Sequence, residues 1–374
     1  MFRFVRGYLH SFDWVLFGAT ALLMMFGLAV LYSTSLTSTG GDAFSQQTIS
    51  GDFSNFYKQA SFVIVGLFLI FFFTTLNFRV LKNVVRPLYG LGIVMLVGVL
   101  VFGETIRGTR GWFQIAGFGI QPVEAVKLIL ILFLARFLSV SSRDPQKIRS
   151  VVGSAMFFIP CFLLVVVQPD LGSALLLFAL WMILLFMSGM KRLHIIILLA
   201  TILVAAGGAW AFVLKPYQKD RVFGFLDPSR DPRGRGYNVS QSIIAIGSGG
   251  WTGKGLGFGS QSQLRFLPER QTDFVFAVIA EELGFFGVLF VVALFAVIFV
   301  RCYQLTKTVH DDFALFVIFG IVSTIAIEMF VNIGGNLRLI PVTGIALPFV
   351  SYGGSSLLVK CCEIGILESI AMRK

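Results

Sequence analysis

Asp273-Phe-Val-Phe-Ala-Val-Ile-Ala-Glu-Glu-Leu-Gly-Phe-Phe-Gly-Val-Leu-Phe-Val-Val-Ala-Leu-Phe-Ala-Val-Ile-Phe-Val300 decides the fold. Apart from three carboxylates it is apolar throughout. At 1.5 Å per residue it is long enough to cross a hydrocarbon core of about 30 Å. The rest of the chain repeats the pattern. Its 374 residues are 56% hydrophobic and only 13% charged, with a mean hydropathy of +0.86. A soluble chain of this size carries about a quarter charged residues. Open sheet edges cannot face lipid, so the spans are expected to be helices, and the class is all-α. The pattern predicts ten spans: 13–34, 57–76, 87–103, 122–140, 150–167, 171–189, 193–214, 273–300, 312–334 and 353–371. The first is too long for a signal-peptide core and no small-residue cleavage site follows it, so it reads as retained.

Charge sets the expected orientation. With the N-terminus inside, the inner segments carry Arg3, Arg6, Arg79, Lys82, Arg86, Arg143, Lys147, Arg149, Lys191, Arg192, Arg301, Lys307, Arg373 and Lys374. The short outer segments carry Arg107, Arg110 and Arg338. This positive-inside bias puts both termini in the cytoplasm. It also absorbs most of the net charge of +11, which is not read as nucleic-acid binding. The four cysteines, Cys161, Cys302, Cys361 and Cys362, lie in or beside apolar spans without metal-ligand spacing, and read as buried small hydrophobes. With no internal repeat and no soluble domain, residues 1–374 form a single membrane unit.

Hydrophobicity stops between Leu214 and Asp273. This long outer loop, 215–271, holds nine Lys/Arg against four acidic residues. Its middle, Gln241-Ser-Ile-Ile-Ala-Ile-Gly247, reads as a short amphipathic helix at the interface. It ends Phe266-Leu-Pro-Glu-Arg-Gln-Thr-Asp273, where the chain re-enters the membrane. A carboxylate at the mouth of a span, fronted by a basic loop, points to chemistry on an anionic, lipid-linked substrate.

Ionisable groups in or beside spans are costly and are the first functional candidates. Asp273 reads either as a helix cap, with Thr272 the alternative capper, or as a general base. Glu124 and Lys127, three apart at the start of a span, share a helix face. They read either as a structural ion pair or as a diphosphate-binding lysine oriented by its glutamate. Asp170, in the turn Gln168-Pro-Asp-Leu-Gly-Ser173, reads as a cap. Glu281 and Glu282 do not share the Asp273 face. Glu328, Lys360 and Glu363 read as links between helices. The run Gly247-Ser-Gly-Gly-Trp-Thr-Gly-Lys254-Gly fails as a nucleotide loop, because Ser248 and Gly255 stand where the motif needs Gly and Ser/Thr. A basic nest for a diphosphate remains open for it. No Ser-His-Asp set and no metal motif is visible. A divalent cation such as Mg or Mn at the diphosphate is neither required nor excluded.

Taken together, four stretches are specific: Leu267-Pro-Glu-Arg-Gln-Thr-Asp273-Phe, Gln168-Pro-Asp-Leu-Gly-Ser173, Gln121-Pro-Val-Glu124-Ala-Val-Lys127-Leu and Pro348-Phe-Val-Ser-Tyr-Gly-Gly-Ser-Ser356. With the span pattern and the long outer loop, the chain resembles the SEDS family of bacterial peptidoglycan glycosyltransferases along essentially its whole length. Tyr237-Asn-Val-Ser-Gln-Ser-Ile-Ile-Ala-Ile-Gly-Ser-Gly-Gly250 is closer to the branch serving cell elongation than to the division branch. The resemblance implies a ten-helix enzyme of the cytoplasmic membrane that polymerises lipid II into a nascent β-1,4 glycan strand. It implies a class B penicillin-binding protein as partner and Asp273 as the essential carboxylate. It also matches Trp112, Glu124 and Lys127 to family positions. Arg110, Lys127, Arg221 and Arg265, with Lys254 in the glycine run, are the candidates for the departing diphosphate. A lipid II transporter and a non-catalytic scaffold are the alternatives. Departures include Gly111 between Arg110 and Trp112, Val123 for serine, Gln271 for histidine, Ala346 for proline, and Glu328 for glutamine.

Overall fold

The computed structural model describes residues 11–38, 49–106, 108–115, 118–141, 148–191, 193–194, 196–197, 200, 207, 235–264 and 266–373. Among the described residues nine long helices overlap expected spans: α1 (Trp14–Ser35), α2 (Ser54–Thr75), α3 (Phe78–Phe102), α4 (Pro122–Ser141), α5 (Ile148–Val167) and α6 (Leu171–Met187), then α9 (Val275–Thr306), α10 (Asp312–Asn336) and α11 (Gly354–Met372). Two shorter helices, α7 (Arg235–Ser248) and α8 (Ser260–Gln263), lie between α6 and α9. The expected span 193–214 falls outside the described residues except at a few positions. By length and composition six helices could cross a membrane: α1, α2, α3, residues 150–167 of α5, α9 and α10. Helices α4 and α11 carry Glu124, Lys127 and Arg136, and Lys360, Glu363 and Glu368. Their charges lower their hydropathy, and most are buried against other helices.

Three expectations are corrected. The third helix does not begin at residue 87. It starts at Phe78, where the Asn77 side chain accepts from Arg79 N at 3.0 Å. Pro87 lies inside it, and Lys82 joins the bundle by pairing with Asp311 at 2.7 Å. The chain is also not purely helical. An antiparallel pair, β1 (Leu36–Ser38) with β2 (Ile49–Gly51), and a three-stranded sheet, β3 (Glu104–Ile106), β4 (Thr109–Ile115) and β5 (Phe118–Ile120), form in segments connecting the helices. Finally, the span expected at 273–300 begins two residues later and runs to Thr306.

Helix ends meet at two levels. At one end Gln121 donates to Asp170 at 3.1 Å and Gln271 to Thr34 at 3.2 Å. At the other, Arg301 pairs with Asp13 at 2.7 Å and Arg373 donates to Thr74 O at 3.0 Å. Close packing between α2 and α11 depends on small residues, as is usual where lipid gives no hydrophobic drive to association. A Cβ at Gly365 would sit 2.7 Å from Ile70 O, and one at Gly66 2.6 Å from Cys361 Sγ. Cys161, Cys302 and Cys361 are buried and Cys362 half-buried, all as free thiols.

Helix α9 is broken. Gly284 has φ 66° and ψ −160°, a conformation that glycine adopts without a Cβ penalty. The break frees the carbonyls of Glu281 and Glu282 and the N–H groups of Phe285 and Phe286. The glycine run 247–255 takes up all four. Lys254 N donates to Glu281 O at 3.0 Å, and Gly255 N to Glu282 O at 2.8 Å. Phe285 N donates to Gly250 O at 2.9 Å, and Phe286 N to Trp251 O at 3.2 Å. This junction lies nine residues into α9, roughly 13 Å below its start. Irregular backbone at such depth is tolerated only where protein satisfies it. The run 247–255 is therefore a docking element, and the diphosphate nest considered for it is set aside. A Cβ at Gly253 would strike the Glu282 backbone, and one at Gly284 the Gly253 backbone. Gly284→Val is expected to cost about 2–3 kcal/mol, from the forbidden φ and the collision together. A lowered thermal midpoint in detergent is the measurement.

Candidate functional site

The turn Leu267–Phe274 is held from outside itself. Tyr352 N donates to Gln271 O at 2.8 Å, and Ser351 Oγ to Thr272 O at 2.7 Å. Asn332 and Asn336, one turn apart on α10, both donate to Asp273 O, at 3.0 and 2.9 Å. Asn336 is fixed in turn by Ala277 N and Ser242 Oγ, at 3.3 and 3.0 Å. The departure at Gln271 has a structural use here. Its amide accepts from Asn55 at 2.8 Å and donates to Thr34, tying the turn to α1 and α2.

The capping alternative for Asp273 and Thr272 finds no support at the N-cap position itself. Helix α9 has Phe274 in its N-cap position, with no capping bond from that side chain. Thr272 Oγ1 instead bonds Glu269. The Asp273 backbone is fixed by two asparagines, and its carboxyl group faces a cavity of about 310 Å3. A Cβ at Gly344 would lie 3.7 Å from Asp273 Oδ2, so the carboxylate rests beside a residue that leaves it room. Trp112, Gln121, Asp170, Asn238 and Glu269 share the lining. The size is at the lower end for small-molecule sites.

Asp170 behaves as the sequence predicts. It caps α6, accepting from Ser173 N at 3.0 Å, and it also holds Ser173 Oγ and the Gln121 amide at 2.7 and 3.1 Å. It thus lines the cavity with both carboxylate oxygens already accepting hydrogen bonds. Sequence reasoning missed Gln121, Asn238 and Glu269 as lining residues, and Asn332 and Asn336 as supports. The last pair had a signal: two amides four residues apart in an apolar span.

The other expected site residues lie elsewhere. Arg110 donates to Val101 O at 3.0 Å and to Gly103 O at 3.2 Å, satisfying carbonyls at the end of α3. Lys254 pairs with Glu281 at 3.0 Å, and Glu281 also accepts from Gln261 N and Ser262 N at 2.8 and 3.0 Å. Glu282 is buried beside it, bonded to Ser33, Ser262 and Gln263. Arg221 and Arg265 lie outside the described residues. Among the described residues no group of three or more His, Cys, Asp or Glu is arranged to hold a metal ion.

Glu124 and Lys127 form an ion pair at 2.8 Å, inside a larger chain of charges. Lys127 also pairs with Glu328 at 2.6 Å, Glu328 with Lys360 at 3.0 Å, and Lys360 with Glu363 at 3.0 Å. All five residues are buried, and together they join α4, α10 and α11. The Lys127 ammonium is occupied by two carboxylates and does not line the cavity.

Comparison with known proteins gives the family and the fold. The model of the FtsW/RodA/SpoVE family, described as cell cycle proteins, matches residues 13–374. The peptidoglycan glycosyltransferase MrdB of Escherichia coli K12 is 37% identical over 354 residues, covering 94% of this chain and 92% of that protein. A solved chain, from work on the structural coordination of polymerization and crosslinking by a peptidoglycan synthase complex, superposes with a TM-score of 0.78. It is 30% identical, covering 96% of this chain and 97% of that one. The rod shape determining protein RodA of Thermus thermophilus is 28% identical, with a TM-score of 0.68 and 96% of each chain covered.

Proposed function

The chain belongs to the FtsW/RodA/SpoVE family, and from that premise we propose that it is a peptidoglycan glycosyltransferase polymerising lipid II, with Asp273 as general base. The observation that carries this reading is the Asp273 carboxyl group. The backbone of Asp273 is clamped by Asn332 and Asn336, and the residue stands one before the N-cap Phe274 and lines a cavity with Trp112, Gln121 and Asp170. In the reaction the 4-hydroxyl of the GlcNAc of an incoming lipid II attacks C1 of the MurNAc at the lipid-linked end of the strand. Asp273 takes the hydroxyl proton. The C1–O bond to undecaprenyl diphosphate breaks, and attack on the opposite face inverts the α-linkage to β-1,4. A base so positioned contributes about 10²–10⁴ to the rate. Of the expected cations, Arg110 is engaged with carbonyls and Lys127 and Lys254 with carboxylates, so Arg221 and Arg265 are the groups assigned to the departing diphosphate.

The positive-inside bias supports an orientation with both termini cytoplasmic and the cavity on the outer face, where translocated lipid II is met. The 37% identity to MrdB and the fold match to a rod shape determining protein support a role in cell elongation. The test is purified protein in detergent supplied with lipid II. Glycan strands made by the protein and lost in Asp273→Asn support the reading; their absence with active partner present sinks it. A transporter would need a charged path, for which Arg136, Glu281, Glu282 and Lys360 are the interior candidates; Glu281 and Lys360 are engaged in local ion pairs, which weighs against it.

The partner proposed is a single-pass class B penicillin-binding protein. The solved relative comes from a complex that couples polymerization to crosslinking. Binding that favours the competent conformation raises the competent fraction of the enzyme, and observed activity rises with it. Co-purification from the native host and a severalfold faster lipid II reaction on adding the partner are the expected results. An unchanged rate, with no such protein co-purifying, refutes both partner and activation.

A further inference from the structure

A second cavity, of about 340 Å3, lies on the other side of the Glu269–Thr272 turn from the Asp273 cavity. Glu269 lines both, in a left-handed conformation with φ 54° that is strained for a residue with a Cβ. The wall is built from Thr34, Asp52, Asn55, Gln271 and Tyr352.

Its chemistry selects a class of ligand. Leu267 and Pro268 add apolar surface beside the Tyr352 ring; the other groups are amides, hydroxyls and the carboxylates of Asp52 and Glu269, which recognise hydroxyls and acetamido groups rather than acyl chains. The local cation is spent on the protein: Arg270 donates to Ser262 O, and to Thr34 O at 2.8 Å, so its charge is not displayed for a diphosphate. The wall is also prearranged. Asn55 bonds Gln271 at 2.8 Å, Gln271 bonds Thr34 at 3.2 Å, and Tyr352 N bonds Gln271 O at 2.8 Å. Burial raises the Tyr352 phenol above its ordinary value, so it stays a neutral donor beside a ring face suited to a sugar.

We propose that this second cavity binds neutral amino sugars of the growing glycan strand, holding the product while its lipid-linked end occupies the Asp273 cavity. The inference rests on the polymerase reading above. A polymerase that works by repeated addition must keep its strand between additions, and the two cavities, comparable in volume, share one wall. Glycan contacts across that wall let the strand remain bound during exchange at the reacting end.

The test compares strand lengths at equal consumption of lipid II, using the enzyme with its partner and labelled lipid II resolved by gel electrophoresis. Tyr352→Ala removes the ring and is expected to shorten strands about fivefold through faster strand release. Tyr352→Leu, which keeps bulk, is expected to do the same, so a folding defect in the alanine variant does not decide the matter. Tyr352→Phe keeps the ring and is expected to restore long strands. Wild-type strand lengths in the folded leucine variant overturn the proposal. A wild-type enzyme that makes no glycan overturns the polymerase reading instead, so the two failures are distinguishable.

Discussion

Asp273→Asn is expected to leave a folded, partner-binding protein whose polymerisation of lipid II falls by about 10²–10⁴ or below detection. The amide matches the carboxylate in size and keeps the backbone carbonyl that Asn332 and Asn336 hold. Phe274 occupies the N-cap position of α9, and an asparagine side chain can still accept a backbone N–H at a helix start. What disappears is the capacity to accept a proton. Initial rates at saturating lipid II, beside thermal unfolding of the same preparation, separate chemistry from fold. Near-normal glycan synthesis by Asp273→Asn ends the general-base assignment. Asn336→Ala provides a graded control: it removes one of two donors to Asp273 O and leaves the carboxylate, so it is expected to lower the rate by a smaller factor than Asp273→Asn.

The sequence revealed helices better than it revealed their interruptions. Long apolar runs identify α1, α2, α9 and α10 because hydrocarbon length imposes them. The start of α3 was hidden because Arg79, Lys82 and Arg86 look like a loop in a hydropathy profile, whereas in the bundle Lys82 is paired with Asp311. The break at Gly284 had no local signal. One glycine in an apolar run reads as ordinary helix, and the backbone that fills the gap comes from residues 250–255, about thirty positions earlier. Asp273 and Trp112 were legible because they stand in recognisable motifs, and both line the cavity. Arg110 and Lys254 were chosen for charge alone. The structure uses those charges on carbonyls and on Glu281, which depends on partners that spacing does not display. Lys127 is the sharpest case. Its helical neighbour Glu124 was visible at three residues, but Glu328 lies 201 positions away.

That distant partner changes what mutation of the pair should do. Glu124, Lys127, Glu328, Lys360 and Glu363 hold three negative and two positive charges in sequence. Lys127→Met deprives both Glu124 and Glu328 of an ion-pair partner, and breaking a buried pair costs about 3–5 kcal/mol. Were Glu124 and Lys127 an isolated pair, Glu124→Gln with Lys127→Met would restore stability. In the chain it restores only part, because Glu328 then shares Lys360 with Glu363. The triple variant Glu124→Gln, Lys127→Met, Glu328→Gln leaves one neutralised pair, Lys360 with Glu363, and is expected to recover most of the lost thermal midpoint in detergent. Activity supplies the second reading. Lys127 does not line the Asp273 cavity, so the triple variant is expected to polymerise lipid II at a rate within a few fold of wild type. A double variant as stable as wild type refutes the extended chain. A stable but inactive triple variant shows instead that Lys127 contacts the diphosphate, and the buried chain would then serve to hold that lysine ready for its substrate.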